Sequence, residues 1–277
     1  MSKLVPVLAV VVIVAVAGAG AAIFLLNNNQ DNTPTATILI EDQNGVYFWA
    51  EGKGETLMDA LKNPSAGVTV TIDGDMITGI NGLNGTETTT AYLYWSLYYL
   101  DGDEWKYSDV GAKELKVSEH PTVGFFYASM DKTTYDTTGG PGSVTVPKLS
   151  DKVVWNGSTS GTVFAIKGAS GLYFYVNSAA SGTMQDRFTA VTNDYKIPFE
   201  PKSSGIKTLF GVGTVEVEPG VYNYWAQFGL IDGAWGYMPS TMPNTDNPDD
   251  YPQFAVVYGN GGMGSTDTPL PPIYKAS

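Results

Sequence analysis

Three kinds of residue in this 277-residue chain have the chemistry for a functional site: one histidine, acidic clusters in turn-like segments, and aromatic side chains strung along strand-like runs. His120 stands alone, whereas a zinc site or a Ser-His-Asp constellation needs several converging partners. Its neighbour Glu119 points elsewhere in an extended segment, so no carboxylate is placed to activate it. No G-x-S-x-G elbow is present. Gly259-x-Gly261-x-x-Gly264 matches a dinucleotide fingerprint only formally, because Pro269, Pro271 and Pro272 follow soon after and no βαβ unit is visible. Asp101, Asp103 and Glu104, and then Asn244, Asp246, Asn247, Asp249 and Asp250, form oxygen-rich turns. Such turns can hold calcium, but neither follows the EF-hand spacing, and both read as solvated loops. Cysteine is absent, which excludes disulfides and thiol catalysis. These residues indicate no enzyme, no metal ligands and no required cofactor.

The aromatic residues carry more information. Tyr92, Tyr94, Ser96, Tyr98 and Leu100 alternate with Leu93, Trp95, Leu97 and Tyr99, and either set could be buried. A second run reads Tyr222, Tyr224, Ala226, Phe228 and Leu230 on one face and Asn223, Trp225, Gln227 and Gly229 on the other. A core face should lack amides, so the Tyr94/Tyr224 face is the expected core, and Trp95 and Trp225 point away from it. They cover a second layer, meet the other run or line a ligand groove. Trp95, Tyr99, Trp105 and Tyr107, with Trp225, Trp235 and Tyr237, are the candidate ligand contacts, since aromatic surfaces suit flat small molecules and protein partners alike.

The elements that must position them form a tandem repeat. Gly45-Val46-Tyr47-Phe48-Trp49 recurs as Gly171-Leu172-Tyr173-Phe174-Tyr175, and Thr56-Leu57-Met58-Asp59 as Thr183-Met184-Gln185-Asp186. Tyr94-Trp95 recurs as Tyr224-Trp225, and Trp105-Lys106-Tyr107 as Trp235-Gly236-Tyr237. The order is kept at offsets of 126–131 residues, which argues duplication. Each repeat opens on a β-rich aromatic segment. A short helix follows, with Thr and Asp at capping-box spacing, Thr56/Asp59 and Thr183/Asp186. Asn63-Pro64 stops the first helix. A long aromatic strand then ends at a hairpin signal, Asp101-Gly102 or Asp232-Gly233, before a return strand and a closing strand. One helix on a small mixed sheet is an α+β, mostly β arrangement of the β-grasp kind. The expected domains are residues 37–130 and 143–258, joined by a linker at 131–142 and followed by a loose Gly/Thr/Pro-rich tail at 259–277.

Charge and the N-terminus suggest a setting. Fifteen basic residues against 28 acidic ones, a net charge of −13, argue against a nucleic-acid partner. After residues 1–3, an uncharged apolar run fills residues 4–26 and is followed by a polar tether at 27–36. At 1.5 Å per residue the run reaches roughly 34 Å, enough to cross a bilayer. With Lys3 inside, the expectation is a transmembrane signal anchor, a single-pass plasma-membrane protein and extracellular domains. A cleaved signal peptide competes, through Ala17-Gly18-Ala19 and Ala19-Gly20-Ala21. An acidic, cysteine-free exterior suits a prokaryotic surface protein. Asn84-Gly85-Thr86 and Asn156-Gly157-Ser158 are N-glycosylation sequons in loop-like sequence.

Thr56-Leu57-Met58-Asp59-Ala60-Leu61, then Ile77-Thr78-Gly79-Ile80-Asn81-Gly82-Leu83, then Trp95 through Asp101-Gly102 and Tyr107-Ser108-Asp109-Val110-Gly111, resembles the transcobalamin C-terminal-like domain. The resemblance covers most of residues 45–128 and is weaker over 171–258, where Gln185-Asp186-Arg187-Phe188 replaces the Asp-Ala-Leu core. Glu119-His120 and the aspartates 101 and 232 depart from the family pattern. The resemblance implies a β-grasp-like fold and an extracellular module, with cobalamin or another corrinoid as a conceivable ligand; the helical domain that covers the second corrinoid face in transcobalamins has no counterpart here. Two functions follow as expectations. One is a binding module for a corrinoid or other small ligand, and the other is a structural or adhesive surface protein that meets protein partners.

Overall fold

Alternating apolar residues bounded by Gly and Asp turns build two sheets with one strand order. The computed structural model describes residues 32–143, 145–203, 205–238, 248–261 and 269–276. In the first repeat, β1 (Thr35–Glu41) and β2 (Tyr47–Lys53) form a hairpin, and α1 (Leu57–Lys62) follows. A three-stranded insert of β3 (Val70–Asp73), β4 (Met76–Ile80) and β5 (Leu83–Asn84) comes next. Then β6 (Thr86–Glu87), β7 (Ala91–Asp101), β8 (Glu104–Tyr107), β9 (Thr122–Asp131) and β10 (Thr137–Thr138) complete the sheet. Its order is β2-β1-β9-β7-β6, with β1 parallel to β9 at the centre and the other pairs antiparallel.

The second repeat runs β11 (Thr162–Lys167), β12 (Tyr173–Ser178), α2 (Met184–Asp194), then an insert of β13 (Phe199–Lys202), β14 (Gly205–Leu209) and β15 (Val212–Gly213). It closes with β16 (Val215–Glu218), β17 (Val221–Ile231), β18 (Ala234–Tyr237) and β19 (Gln253–Gly261). The order β12-β11-β19-β17-β16 repeats the first, with β11 parallel to β19.

Local chemistry starts the helices where the spacing places them. The Thr183 hydroxyl accepts from the Asp186 N–H at 3.2 Å and Asp186 Oδ2 accepts from the Thr183 N–H at 2.8 Å, a complete capping box. Thr56 caps α1 through the Asp59 N–H. α1 buries Leu57, Met58, Ala60 and Leu61. It lies so close to β2 that a Cβ on Gly52 would stand 2.2 Å from the Ala60 carbonyl oxygen, so only glycine fits there.

Trp95 and Trp225 are buried on the helix side of their sheets, opposite to the outward expectation. Trp95 Nε1 donates to the Leu83 carbonyl at 2.9 Å and Trp225 Nε1 to the Val212 carbonyl at 2.8 Å. Tyr127 and Tyr258 hydroxyls do the same to Asn84 and Gly213. Each Trp-Tyr pair therefore pins an insert onto its sheet. The other face is covered too. In the second repeat it forms a separate apolar layer of Val163, Ala165, Tyr175, Phe228 and Val257 beneath Trp155, Leu270 and Tyr274. In the first repeat the chain after β10 crosses that face. Gly139 and Gly140 approach Ala128 and Tyr98, Val154 bridges to Trp49, and Lys152 Nζ bonds Glu51 at 2.5 Å. Gly139 and Gly140 of the expected linker and Lys152 and Val154 of the expected second domain thus serve the first repeat, whereas Trp155 turns to the second.

The repeats meet about a pseudo-two-fold axis. Phe48 stacks on its counterpart Phe174 at 5.5 Å. Tyr47 meets Phe210, and its counterpart Tyr173 bonds Asn81. Asn81 and Phe210 occupy the same left-handed turn position, at φ 41° and 53°. Asn81 is fully used: its side chain accepts from the Thr69 N–H at 2.7 Å and donates to the Gly67 and Tyr173 carbonyls at 3.0 and 2.8 Å.

One expectation needs correction. The transmembrane signal anchor, with the single-pass plasma-membrane placement, finds no support: among the described residues no helix is long and apolar enough to cross a membrane. The longest, α2, has 11 residues and reaches about 16 Å, half of a roughly 30 Å hydrocarbon core. Residues 4–26 lie outside the described residues, as do 1–3 and 27–31. Among the described residues the fold is mostly β, two large mixed sheets each with one short helix and one three-stranded insert, and this β content is compatible with two β-grasp-like repeats.

Candidate functional site

The long strand β7 has an incomplete outer edge. β6 pairs with it at Tyr92 and Leu93, and β8 from Tyr98 to Asp101, leaving residues 94–97 without a strand partner on that side. The Ser108 N–H donates to the Leu97 carbonyl at 3.0 Å, where the chain after β8 turns away. The gap opens into a groove of about 620 Å³ between the β4–β5 insert and residues 107–112. Met76, Tyr94, Trp95, Tyr107, Asp109 and Val110 contribute to its wall. Met76, Tyr107 and Val110 are 66%, 57% and 48% exposed, so the rim is apolar and open to solvent. Lys113 pairs with Asp75 at 2.9 Å at the same wall, which adds a screened charge pair. The chemistry offered is apolar contact, a polar strand edge and two carboxylates, Asp75 and Asp109. Two of the groove's hydroxyls are spent on the backbone, Ser96 donating to the Phe126 carbonyl and Ser108 to the Val110 carbonyl, both at 2.7 Å.

The second repeat has the same edge gap. β16 pairs through Asn223, β18 begins at Phe228, and the Met238 N–H donates to the Gln227 carbonyl at 2.8 Å. The cleft there, about 150 Å³, is lined by Lys202, Tyr224, Trp225, Gln227, Tyr237 and Met238 among others.

The seven aromatic candidates therefore separate. Trp95 and Tyr107 share the large groove, and Trp225 and Tyr237 the small cleft. Tyr99 lies against His120 with ring centroids 4.1 Å apart, so the lone histidine is a packing partner. Trp105 packs edge-on against Phe126 on the opposite face of the sheet, and Trp235 Nε1 donates to the Pro271 carbonyl at 2.9 Å. Asn84 and Asn156 are exposed, as sequons require. Lys106 pairs with Asp101 in the acidic turn, and Arg187 with Asp249 at 2.6 Å. Among the described residues no acidic or histidine cluster has the form of a metal site.

Two buried charges escaped the sequence reading. Glu41 and Lys167 are register equivalents, each opposite a tyrosine, Tyr47 or Tyr173. Glu41 is fully buried and neither carboxyl oxygen has a hydrogen-bond partner among the described residues. Burial, and then the neighbouring Asp42 carboxylate, pushes its carboxyl up to about 8. Burial lowers the Lys167 ammonium below the usual lysine range, and its Nζ donates to the Pro269 carbonyl at 2.5 Å. A charged residue ending an otherwise apolar strand was the available signal.

Comparison with protein-family models, with curated proteins and with solved structures found no match to this chain.

Proposed function

We propose that this chain is a binding module and that the groove beside the β7 edge of the first repeat takes a small ligand with one broad apolar face. The observation that supports it most is the groove itself. Its volume lies within the roughly 300–1,000 Å³ of small-molecule clefts, and it joins an exposed apolar rim to a polar strand edge. The resemblance of residues 45–128 to the transcobalamin C-terminal-like domain supports a corrinoid as the first ligand to try. Tyr107 and Met76 would meet the macrocycle edge, and Asp109 would accept from its amide side chains.

The test is a titration of the chain with cobalamin and with cobinamide, followed by the corrinoid spectrum and by heat. The expected result is saturable micromolar binding, about −8 kcal/mol, weakened at least tenfold in Tyr107→Ala with the fold unchanged. A flat titration at high protein concentration removes the corrinoid reading. The second reading is a structural or adhesive protein. The Trp95 and Trp225 bonds to their inserts favour it, because those rings are committed to packing.

A further inference from the structure

The C-terminal residues are held in a manner the strands are not. Among the described residues, 269–276 form no backbone–backbone hydrogen bond, and no strand of the second sheet pairs with them. Pro269-Leu270-Pro271-Pro272-Ile273-Tyr274 crosses the sheet face away from α2 and is gripped through its carbonyls. Lys167 Nζ donates to Pro269 O at 2.5 Å, Trp235 Nε1 to Pro271 O at 2.9 Å, and the Tyr175 hydroxyl to Pro272 O at 2.7 Å. Gln253 pairs with the Tyr274 backbone in both directions, at 2.8 and 2.9 Å. The Tyr274 ring enters an aromatic corner, 4.6 Å from Trp155 and 5.4 Å from Tyr175. Proline-rich segments leave their carbonyls free and are stiff before binding, so side-chain donors beside aromatic rings recognise them at low entropic cost.

We propose that this face of the second repeat is a receptor site for an extended proline-rich peptide of the Pro-x-Pro-Pro-x-Tyr pattern supplied by a partner protein, and that residues 269–276 are its resident occupant in cis. Residues 262–268 join the tail to β19, and among the described residues its hydrogen bonds are made through main-chain atoms that another proline-rich chain also carries. The first repeat shows that the grip is specific to the second. At the positions of Lys167 and Tyr175 it has Glu41 and Trp49, and Trp49 Nε1, like the Glu41 oxygens, has no partner among the described residues. The same sheet face there is covered by a segment that those two side chains do not grip.

The experiment places a specific protease site within residues 262–268 of the full chain and cuts it after folding. A fluorescent peptide spanning residues 266–277 is then titrated against the cut and uncut proteins. The cut protein should keep its near-ultraviolet circular dichroism, exchange its tail for the labelled peptide and bind it saturably. The uncut chain should bind at least tenfold more weakly, because a tethered tail competes at an effective concentration near millimolar. Changing Tyr274 to Ala in the peptide, or Trp235→Phe in the protein, should weaken binding about tenfold. Three results would overturn the proposal: a cut tail that never exchanges, a cut protein that unfolds when the tail leaves, or a scrambled peptide that binds equally well.

Discussion

The two repeats share a skeleton and differ in what lies on it. The pairs Trp95/Trp225, Tyr127/Tyr258 and Phe48/Phe174 make the same contacts in both. They hold the insert to the sheet and one repeat to the other, so the geometry tolerates no exchange there. The outer face has no such constraint. Lys167 and Tyr175 bond carbonyls of the tail, while the buried side-chain polar atoms of Glu41 and Trp49 have no hydrogen-bond partner among the described residues. The open edge differs too, at about 620 Å³ against about 150 Å³. Duplication has left one scaffold with two unequal surfaces, one gripping peptide carbonyls and one presenting an apolar groove.

The largest expected effect tests the Glu41/Lys167 difference. The folded state holds a proton on Glu41 up to about pH 8, whereas the unfolded chain releases it near 4.5. The stabilisation is therefore whole below about pH 4.5 and declines as pH rises through about 8, by about 5 kcal/mol at 1.36 kcal/mol per pH unit. Denaturant unfolding of wild type and Glu41→Gln across that window measures it. The variant should gain stability relative to wild type as pH rises, and a constant difference would show that Glu41 is solvated. Next come the shared tryptophans. Trp95→Ala and Trp225→Ala should each cost about 3–5 kcal/mol, as for buried aromatics. Unequal losses would show that the two inserts are not equally anchored.

Asn81→Ala should cost about 2–3 kcal/mol, since it strips partners from the buried Tyr173 carbonyl and the half-buried Gly67 carbonyl, one in each repeat. Calorimetry should then show the single unfolding transition broaden or split, as the join between the repeats weakens. The smallest effect is at the groove rim. Tyr107→Ala should change stability by less than about 0.5 kcal/mol, because the ring is 57% exposed and meets Tyr98 only edge-on, at 5.5 Å. Tyr237→Ala should cost about 1 kcal/mol, because that ring is half-buried and its hydroxyl lies 3.3 Å from the Tyr224 hydroxyl, a contact Tyr107 lacks. Equal stabilities would erase the difference between the two edges.

Much of the fold was legible locally. Thr183/Asp186 forms its box, and Asp232-Gly233 makes a left-handed turn at φ 50° and 79°. These signals need only neighbours along the chain. The buried face of β7 and β17 was not legible, because the alternation argument presumes one wet face. Here both faces are covered, and Gln227 is buried on the tryptophan side, beside Gly205 of the insert. A buried amide there defeats the rule that amides mark the outside. The groove candidates Trp95 and Tyr107 were named for their aromaticity, but Met76 reaches the site only because the insert folds over the edge, and Val110 only because the chain after β8 turns away from it.

From residues alone, the repeat, the place of each helix, the two hairpins at Asp101-Gly102 and Asp232-Gly233, and the absence of thiol chemistry were determined, because composition, spacing and nearest-neighbour hydrogen bonds encode them. Tertiary structure alone decided which segment covers which sheet. It placed residues 139–140 and 152–154 over the first repeat and Trp155 and the proline-rich tail over the second, and it buried Glu41 and Lys167 at equivalent positions with unequal partners. Those outcomes depend on contacts between residues more than a hundred positions apart, such as Lys167 with Pro269, and no periodicity within either segment records them.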